Sequence, residues 1–343
     1  MIIPFFIIHA GCPHQCVFCN QVHIVGADRS IVASSIPDKI ELFLKTNAAN
    51  EPAHVAFYGG TFTALPVHIQ QEYLDVVRPF IVSGRIKSIR LSTRPDCINH
   101  EILAFLKENH VQTIELGVQS MDDSVLALAM RGHTAADTLN AVNLINEHGF
   151  TIGLQLMIGL PGDSADTFMD TVCTAIRLRP DFVRLYPLLV LKDTPLEVLY
   201  KTKQYHPLPI DEAVSLCSRA LSLFEQAKIK VTRIGLQPTR EMAKPGTILA
   251  GPYHPAFRQL VESLLLLDKM RLSLHNRKDK TATAIFVVNP RDLSAAVGQH
   301  RLNIEKLKKE FGLRSLRVKQ LNHSIKEREP VLLSNSQHET CSL

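Results

Sequence analysis

Six short apolar runs punctuate the chain between residues 2 and 190, and a stretch of helical periodicity follows each of them. The runs are "IIPFFII" (2–8), "HVAFYG" (54–59), "IKSIRLST" (86–93), "VQTIELGVQ" (111–119), "TIGLQLMIG" (151–159) and "DFVRLYPLLV" (181–190). Each is rich in Ile, Val, Leu, Phe or Tyr and short enough for a buried strand. Helices are expected near 37–48, 66–82, 99–109, 122–148, 164–178 and 210–227. Asn99, and Asp163 or Ser164, are placed to cap two of them. Repeated strand–helix units imply parallel strands, because a parallel connection needs a crossover. Six units are fewer than the eight of a closed (β/α) barrel, so an open partial barrel or a doubly wound sheet fits. In either, the strand C-termini and the loops after them face the ligand.

The loop after the first run reads "HAGCPHQCVFCNQ" (9–21), with Cys12, Cys16 and Cys19 spaced C-x3-C-x2-C. The chain has seven cysteines, an odd number that argues against a complete disulfide framework. The apolar start "MIIPFFII" is too short to span a membrane and has no basic leader. A cytoplasmic, reducing setting is expected, where clustered thiols serve as metal ligands or catalysts. Three thiolates on an iron–sulfur cluster leave one iron open. A zinc site would need a fourth ligand, for which His9 and His14 are at hand. Spacing alone leaves both metals open.

C-x3-C-x2-C with Phe18 before the last cysteine resembles the signature of the radical S-adenosylmethionine (SAM) superfamily. That resemblance implies a partial (β/α)6 barrel and a [4Fe–4S] cluster on Cys12, Cys16 and Cys19. It also implies that SAM is chelated at the open iron and that an electron donor such as flavodoxin or ferredoxin serves the cluster. Further blocks fall in the family's order. Gly59, Gly60 and Thr61 in "FYGGTFTALP" match the motif that binds the SAM amino group, with Thr where others carry Glu. Arg94 in "LSTRPDCI" is a candidate for the SAM carboxylate. Gln119 and Ser120 end the fourth strand, and Arg131-Gly132-His133-Thr134 precede the next helix. The backbone around Ile158, Gly159 and Pro161 is assigned to adenine. Gln119 and Tyr186 are the best polar candidates for contact with cofactor or substrate. Periodicity alone assigns Met157, Leu160 and Leu189 to the core. The resemblance covers about residues 4–235 and is strongest to the radical SAM portion of Elongator-type proteins. It is looser to oxygen-independent coproporphyrinogen oxidase. The cysteine spacing differs from the long Elongator one, and no acetyltransferase domain follows.

Past "KVTRIGLQ" (230–237), a Pro- and Gly-rich stretch reads as a linker. The expected organisation is a barrel over 1–236, a linker over 237–253, a small domain over 254–320 and a polar, disordered tail over 321–343. From Arg258 to Arg328 there are 16 Lys+Arg against 7 Asp+Glu, a surplus of 9, while the rest holds 22 against 26. Such asymmetry suits a polyanion. The expected order is helix 255–267, strand 269–275, strand 282–288, helix 290–297, helix 301–311 and strand 314–319. With the turn at "GQHR", it resembles a KH domain, whose GXXG loop clamps a nucleic-acid backbone. Gly298 matches the first glycine, and Arg301 stands at the second. Gln299, His300, Lys306, Lys308 and Lys309 are candidate phosphate contacts. Cys97, Cys173 and Cys217 are expected to be small buried hydrophobes, and Cys341 a tail thiol. Together these features point to a radical SAM enzyme acting on tRNA or another RNA. Radical chemistry on a porphyrin-like small molecule is one alternative. A non-catalytic RNA-binding protein with a structural metal is another.

Overall fold

The computed structural model describes residues 1–25, 31–46, 52–277, 282–321 and 329–333. It divides into two compact units, one of 1–213 with 224–253 and one of 214–223 with 254–343.

In chain order, the elements of the first part are β1 (Ile2–Phe6), α1 (Gln21–Val25), α2 (Ile36–Lys45), β2 (His54–Tyr58), α3 (Val67–Asp75) and α4 (Arg78–Val82). Then come β3 (Ser88–Thr93), α5 (His100–Glu108), β4 (Val111–Gln119), α6 (Asp123–Leu128), α7 (Ala135–Glu147), β5 (Thr151–Ile158) and α8 (Ala165–Arg177). They continue with β6 (Phe182–Pro187), β7 (Val190–Leu191), α9 (Pro195–Lys201), α10 (Ile210–Gln226), β8 (Lys230–Ile234) and β9 (Ile248–Ala250).

The main sheet runs β1-β2-β3-β4-β5-β6-β8, and every neighbouring pair is parallel. Sequential parallel strands joined by helices curl into a partial barrel rather than a doubly wound sheet, because no strand order reverses. The six expected runs are all strands. Lys230–Ile234 adds a seventh that the six-unit reading missed. Its sequence, KVTRI, alternates exposed with apolar residues as an edge strand does, and it lacks the long apolar run of the central strands.

Periodicity explains the faces. In β3, Ile89 and Leu91 are buried while Arg90 and Ser92 point the other way. In α8, Phe168, Thr171, Val172 and Ala175 line one buried stripe. Burying Phe168 and Val172 contributes roughly 1.5–3 kcal/mol each. Ser164 caps α8 through a reciprocal bond with Thr167, and Asn99 caps α5 by accepting from the Ile102 N–H. The helix expected over 122–148 is broken at Ala129–Thr134. A new capping box, Thr134 with Asp137, starts α7 there.

The second unit contains α11 (Phe257–His275), β10 (Thr283–Val288), α12 (Leu293–Val297), α13 (Leu302–Phe311), β11 (Ser315–Gln320) and β12 (Val331–Leu332). β10 is central, parallel to β11 and antiparallel to β12. The strand expected at 269–275 does not form; those residues complete α11. Met270, Leu272 and Leu274 alternate as in a strand, but Leu272 is exposed. The buried set Leu266, Leu267, Met270 and Leu274 has helical spacing. The order that carried the KH resemblance is therefore replaced by helix–strand–helix–turn–helix–strand–strand. Val331–Leu332 also corrects the disordered tail, since it pairs with β10. The rest of that tail, 322–328 and 334–343 with Cys341, lies outside the described residues.

Candidate active site

The three cysteines occupy the loop between β1 and α1, at the C-terminal edge of the sheet. Two other loops hold it. On one side the turn after β2 meets it backbone to backbone: the Thr61 N–H donates to the Ala10 carbonyl at 3.0 Å. A Cβ at Gly60 would lie 2.2 Å from that carbonyl oxygen and 2.5 Å from that of Ile7. A Cβ at Gly11, where φ is +73°, would lie 2.3 Å from the Thr61 carbonyl. The Gly-Gly turn is thus required by the approach of the cysteine loop itself. The Thr61 hydroxyl sits 3.4 Å from the Cys12 sulfur.

On the other side is the segment between α6 and α7. The Val17 N–H donates to the Ala129 carbonyl, and the ring of His14 covers Gly132. The buried Arg131 guanidinium donates from Nη1 to the Cys16 sulfur at 3.1 Å and from Nη2 to the Gly117 carbonyl. Gly117 leaves the room: a Cβ there would stand 3.2 Å from Arg131 Nη2 and 3.0 Å from Gln119 Nε2. Phe18 packs beside Val17 against Leu160, Leu188 and Leu196.

Burial, with Cys16 and Cys12 close by, pushes the Cys19 thiol up to about 12, against the pull of Arg131 and Gln21. A cation at the loop would favour the Cys19 thiolate. The two histidines that a zinc site could use as a fourth ligand have contacts of their own. His9 Nε2 accepts from the Gln21 N–H, and the His14 ring is packed on Gly132. Among the described residues, no three His, Cys, Asp or Glu side chains gather as a single-ion site. A cubane cluster instead takes each thiolate on its own iron, so a sulfur-only set spread around one loop suits it.

The remaining expected residues fall in several places. Gln119 ends β4 at a register shift with φ +67°, and its buried Oε1 has no partner. A left-handed, non-glycine residue with an orphaned buried acceptor is a candidate for ligand contact. Arg94 is buried, but its fork closes on Asp96 with two bonds of 3.0 Å. Ile158, Leu160, Pro161 and Leu189 are buried. The Gly159 N–H donates to Asp163, and its carbonyl accepts from the Tyr205 hydroxyl. Gly159 and Pro161 line a cavity of about 370 Å³ with Leu128, Tyr205 and His206. Cys217 is buried as expected; Cys97 is half-buried, and Cys173 is exposed on α8.

Tyr186 lies on the inner face of the sheet with a polar cluster the sequence reading did not single out. Glu115, 0% exposed, pairs with Arg90 and Arg184 at 3.0 Å each and accepts from the Tyr58 hydroxyl at 3.0 Å. Gln155 bridges Glu115 and Ser92. Burial and Glu115 push the Tyr58 phenol up to about 12, so it stays a donor.

Arg131 and His133 carry no local sequence signature of a site. The His133 Nε2–H donates to the Val118 carbonyl at 3.2 Å, while Nδ1 is buried and unpartnered. Burial first, then Arg131 and Arg94, lowers its pKa to about 4. The available signal was the Gly132 interruption of an otherwise helical stretch.

In the second unit, Gly298 (φ +77°) packs on Asn303, whose Nδ2 donates to Ser263 and Ala295. His300 and Arg301 are left-handed, so Arg301 adopts the backbone that a second glycine would favour. Gln299 bonds Gln259, and Lys308 pairs with Glu305, whereas Arg301, Lys306 and Lys309 are exposed.

The radical SAM superfamily model matches residues 6–173, and the radical SAM C-terminal domain matches 180–266. An uncharacterized protein of Methanocaldococcus jannaschii is 31% identical over 224 residues, 61% of this chain and 67% of that protein. A tRNA uridine(34) acetyltransferase of Methanocaldococcus infernus is 29% identical over 255 residues, 62% of this chain and 48% of that protein. The chain thus spans about half the length of the acetyltransferases it matches. The solved structure of the archaeal Methanocaldococcus infernus Elp3 aligns with a TM-score of 0.62 at 22% identity, covering 79% of this chain and 63% of that one. It shares the fold. No described helix is long and apolar enough to cross a membrane. With the parallel half-barrel and the cysteine loop at its C-terminal edge, these matches make the chain a member of the radical SAM superfamily, related to the Elp3-type tRNA uridine(34) acetyltransferases.

Proposed function

We propose that Cys12, Cys16 and Cys19 hold a [4Fe–4S] cluster, that SAM binds beside it, and that the substrate is tRNA. The observation that carries the cofactor reading is the locked, sulfur-only loop, held by the Gly60 turn on one side and Arg131 on the other. When bound, the cluster and SAM supply a 5′-deoxyadenosyl radical. The chain's own residues bind and orient. Arg131 stands at the cysteines with its buried Nε–H unpartnered, while Nε and Nη2 of Arg94 are both taken by Asp96. The carboxylate of SAM is therefore assigned to Arg131, and Arg94 to positioning. Gln119 offers its unpartnered Oε1 to a donor on the cofactor or substrate.

Two features support the RNA reading: the names of the acetyltransferase relatives, and the Lys/Arg surplus of the second unit, with Arg301, Lys306 and Lys309 exposed. Anaerobic reconstitution followed by dithionite and SAM is expected to release 5′-deoxyadenosine, with flavodoxin or ferredoxin replacing dithionite. Changing all three cysteines to alanine is expected to abolish both colour and release. An intact protein that takes up only zinc refutes the cofactor reading. The RNA reading fails if a tRNA transcript does not bind at low salt, or if its affinity ignores salt.

A further inference from the structure

A barrel interior is ordinarily filled with branched apolar side chains. Here the inner face at mid-sheet is polar on five adjacent strands, carrying Tyr58, Arg90 and Ser92, Glu115, Gln155, and Arg184 with Tyr186. Arg90 and Arg184 are 16% and 15% exposed, within reach of a ligand. Among the described residues, Glu115 is the one carboxylate that either guanidinium pairs with. Two positive charges against one negative leave a surplus of one, and β8 adds Arg233 in register with Arg184. The Nε–H groups of Arg90 and Arg184 are both buried without an acceptor. The cluster is therefore short of negative charge and short of acceptor atoms. Both deficits point to the same kind of ligand.

Its depth fits a substrate. Glu115 precedes Gly117, the residue that holds Arg131, by two positions. At the rise of a parallel strand that is about 7 Å below the level at which Arg131 reaches Cys16. The register supports a cradle: Ser92 is level with Glu115, Arg184 is level with Gln155, and Arg90 lies one inward-facing position lower. The two guanidiniums reach Glu115 from above and below.

We propose that this inner-face cluster receives an anionic oxygen group of the substrate, a phosphate or a carboxylate, on Arg184 and Arg90, with Glu115 fixing their orientation. This rests on the reading above only for where the reacting group sits. Calorimetry on the full chain needs neither cluster nor SAM, so the two readings can fail separately. The probes are uridine 5′-monophosphate and succinate, with uridine as the uncharged control. At least one anion is expected to bind tenfold or more tightly than uridine, and whichever does identifies phosphate or carboxylate. Arg184→Gln is expected to weaken that binding at least tenfold. Glu115→Gln, which removes the competing charge and keeps the shape, is expected to tighten it. Arg90→Gln repeats the first test from the other strand should Arg184→Gln melt early. Neither anion outbinding uridine overturns the proposal. So does a shift in the same direction for the arginine and glutamate variants, which is what a purely structural ion cluster would give.

Discussion

His133 makes the stability of the first unit depend on pH in a way that can be calculated. Its ring is buried, neutral and cationically flanked, so its folded pKa lies near 4 against 6.5 in the open chain. The sign follows from the depressed value. Above pH 6.5 both states hold the ring neutral and the contribution is intact. As pH falls the unfolded chain takes the proton first, and stability is lost until pH drops through the folded value. The whole span of about 2.5 pKa units corresponds to roughly 3 kcal/mol, of which about 2 kcal/mol is gone at pH 5. For a unit of this size that is a fall of about 4–8 °C in melting temperature between pH 7.5 and 5. Carboxylates also titrate in this range, so the informative quantity is the difference between wild type and His133→Gln. Glutamine keeps a donor for the Val118 carbonyl and cannot take a proton. Melting followed by circular dichroism at both pH values is expected to show the variant with the smaller fall. Equal falls in the two proteins would refute the reasoning.

Three further outcomes are expected. Gly60→Ala forces the cysteine loop off the β2 turn, because its Cβ would overlap the carbonyls of Ala10 and Ile7. A loss of about 2–3 kcal/mol in stability and a marked drop in iron per chain after reconstitution are expected. Arg131→Gln removes a charge-assisted bond of about 1.5–3 kcal/mol, so equilibrium dialysis should show SAM affinity, per cluster loaded, down tenfold or more. Asn303→Ala strands buried acceptors on Ser263 and Ala295 and should cost about 1–3 kcal/mol, read as faster amide exchange in α11–α13.

Legible in the sequence alone were the α/β class of the fold, the cysteine triplet and the order of the strand-end motifs. Those are short-range properties. Alternation of apolar runs with helical periodicity fixes parallel units, and Cys12, Cys16 and Cys19 need only each other's spacing to declare themselves. Short-range pattern failed where alternation was ambiguous. Met270, Leu272 and Leu274 read as a strand, yet they close a helix, because the neighbours that bury Met270 and Leu274 come from β10 and α13. It failed again at Lys230–Ile234, an edge strand too polar to stand out.

Only the tertiary structure decided how the charges are spent. Arg94 and Arg131 look alike in sequence. One is closed on the carboxylate two residues away, while the other crosses from the α6–α7 segment to Cys16, 115 positions earlier. Gly60 read as a turn that a cofactor approaches, but the group that requires it is the backbone of the cysteine loop. Glu115, Arg90 and Arg184 lie on three different strands, and nothing local says that they meet. Pairing across a parallel sheet is set by register between distant strands, and that register turned isolated polar positions into one charged cradle.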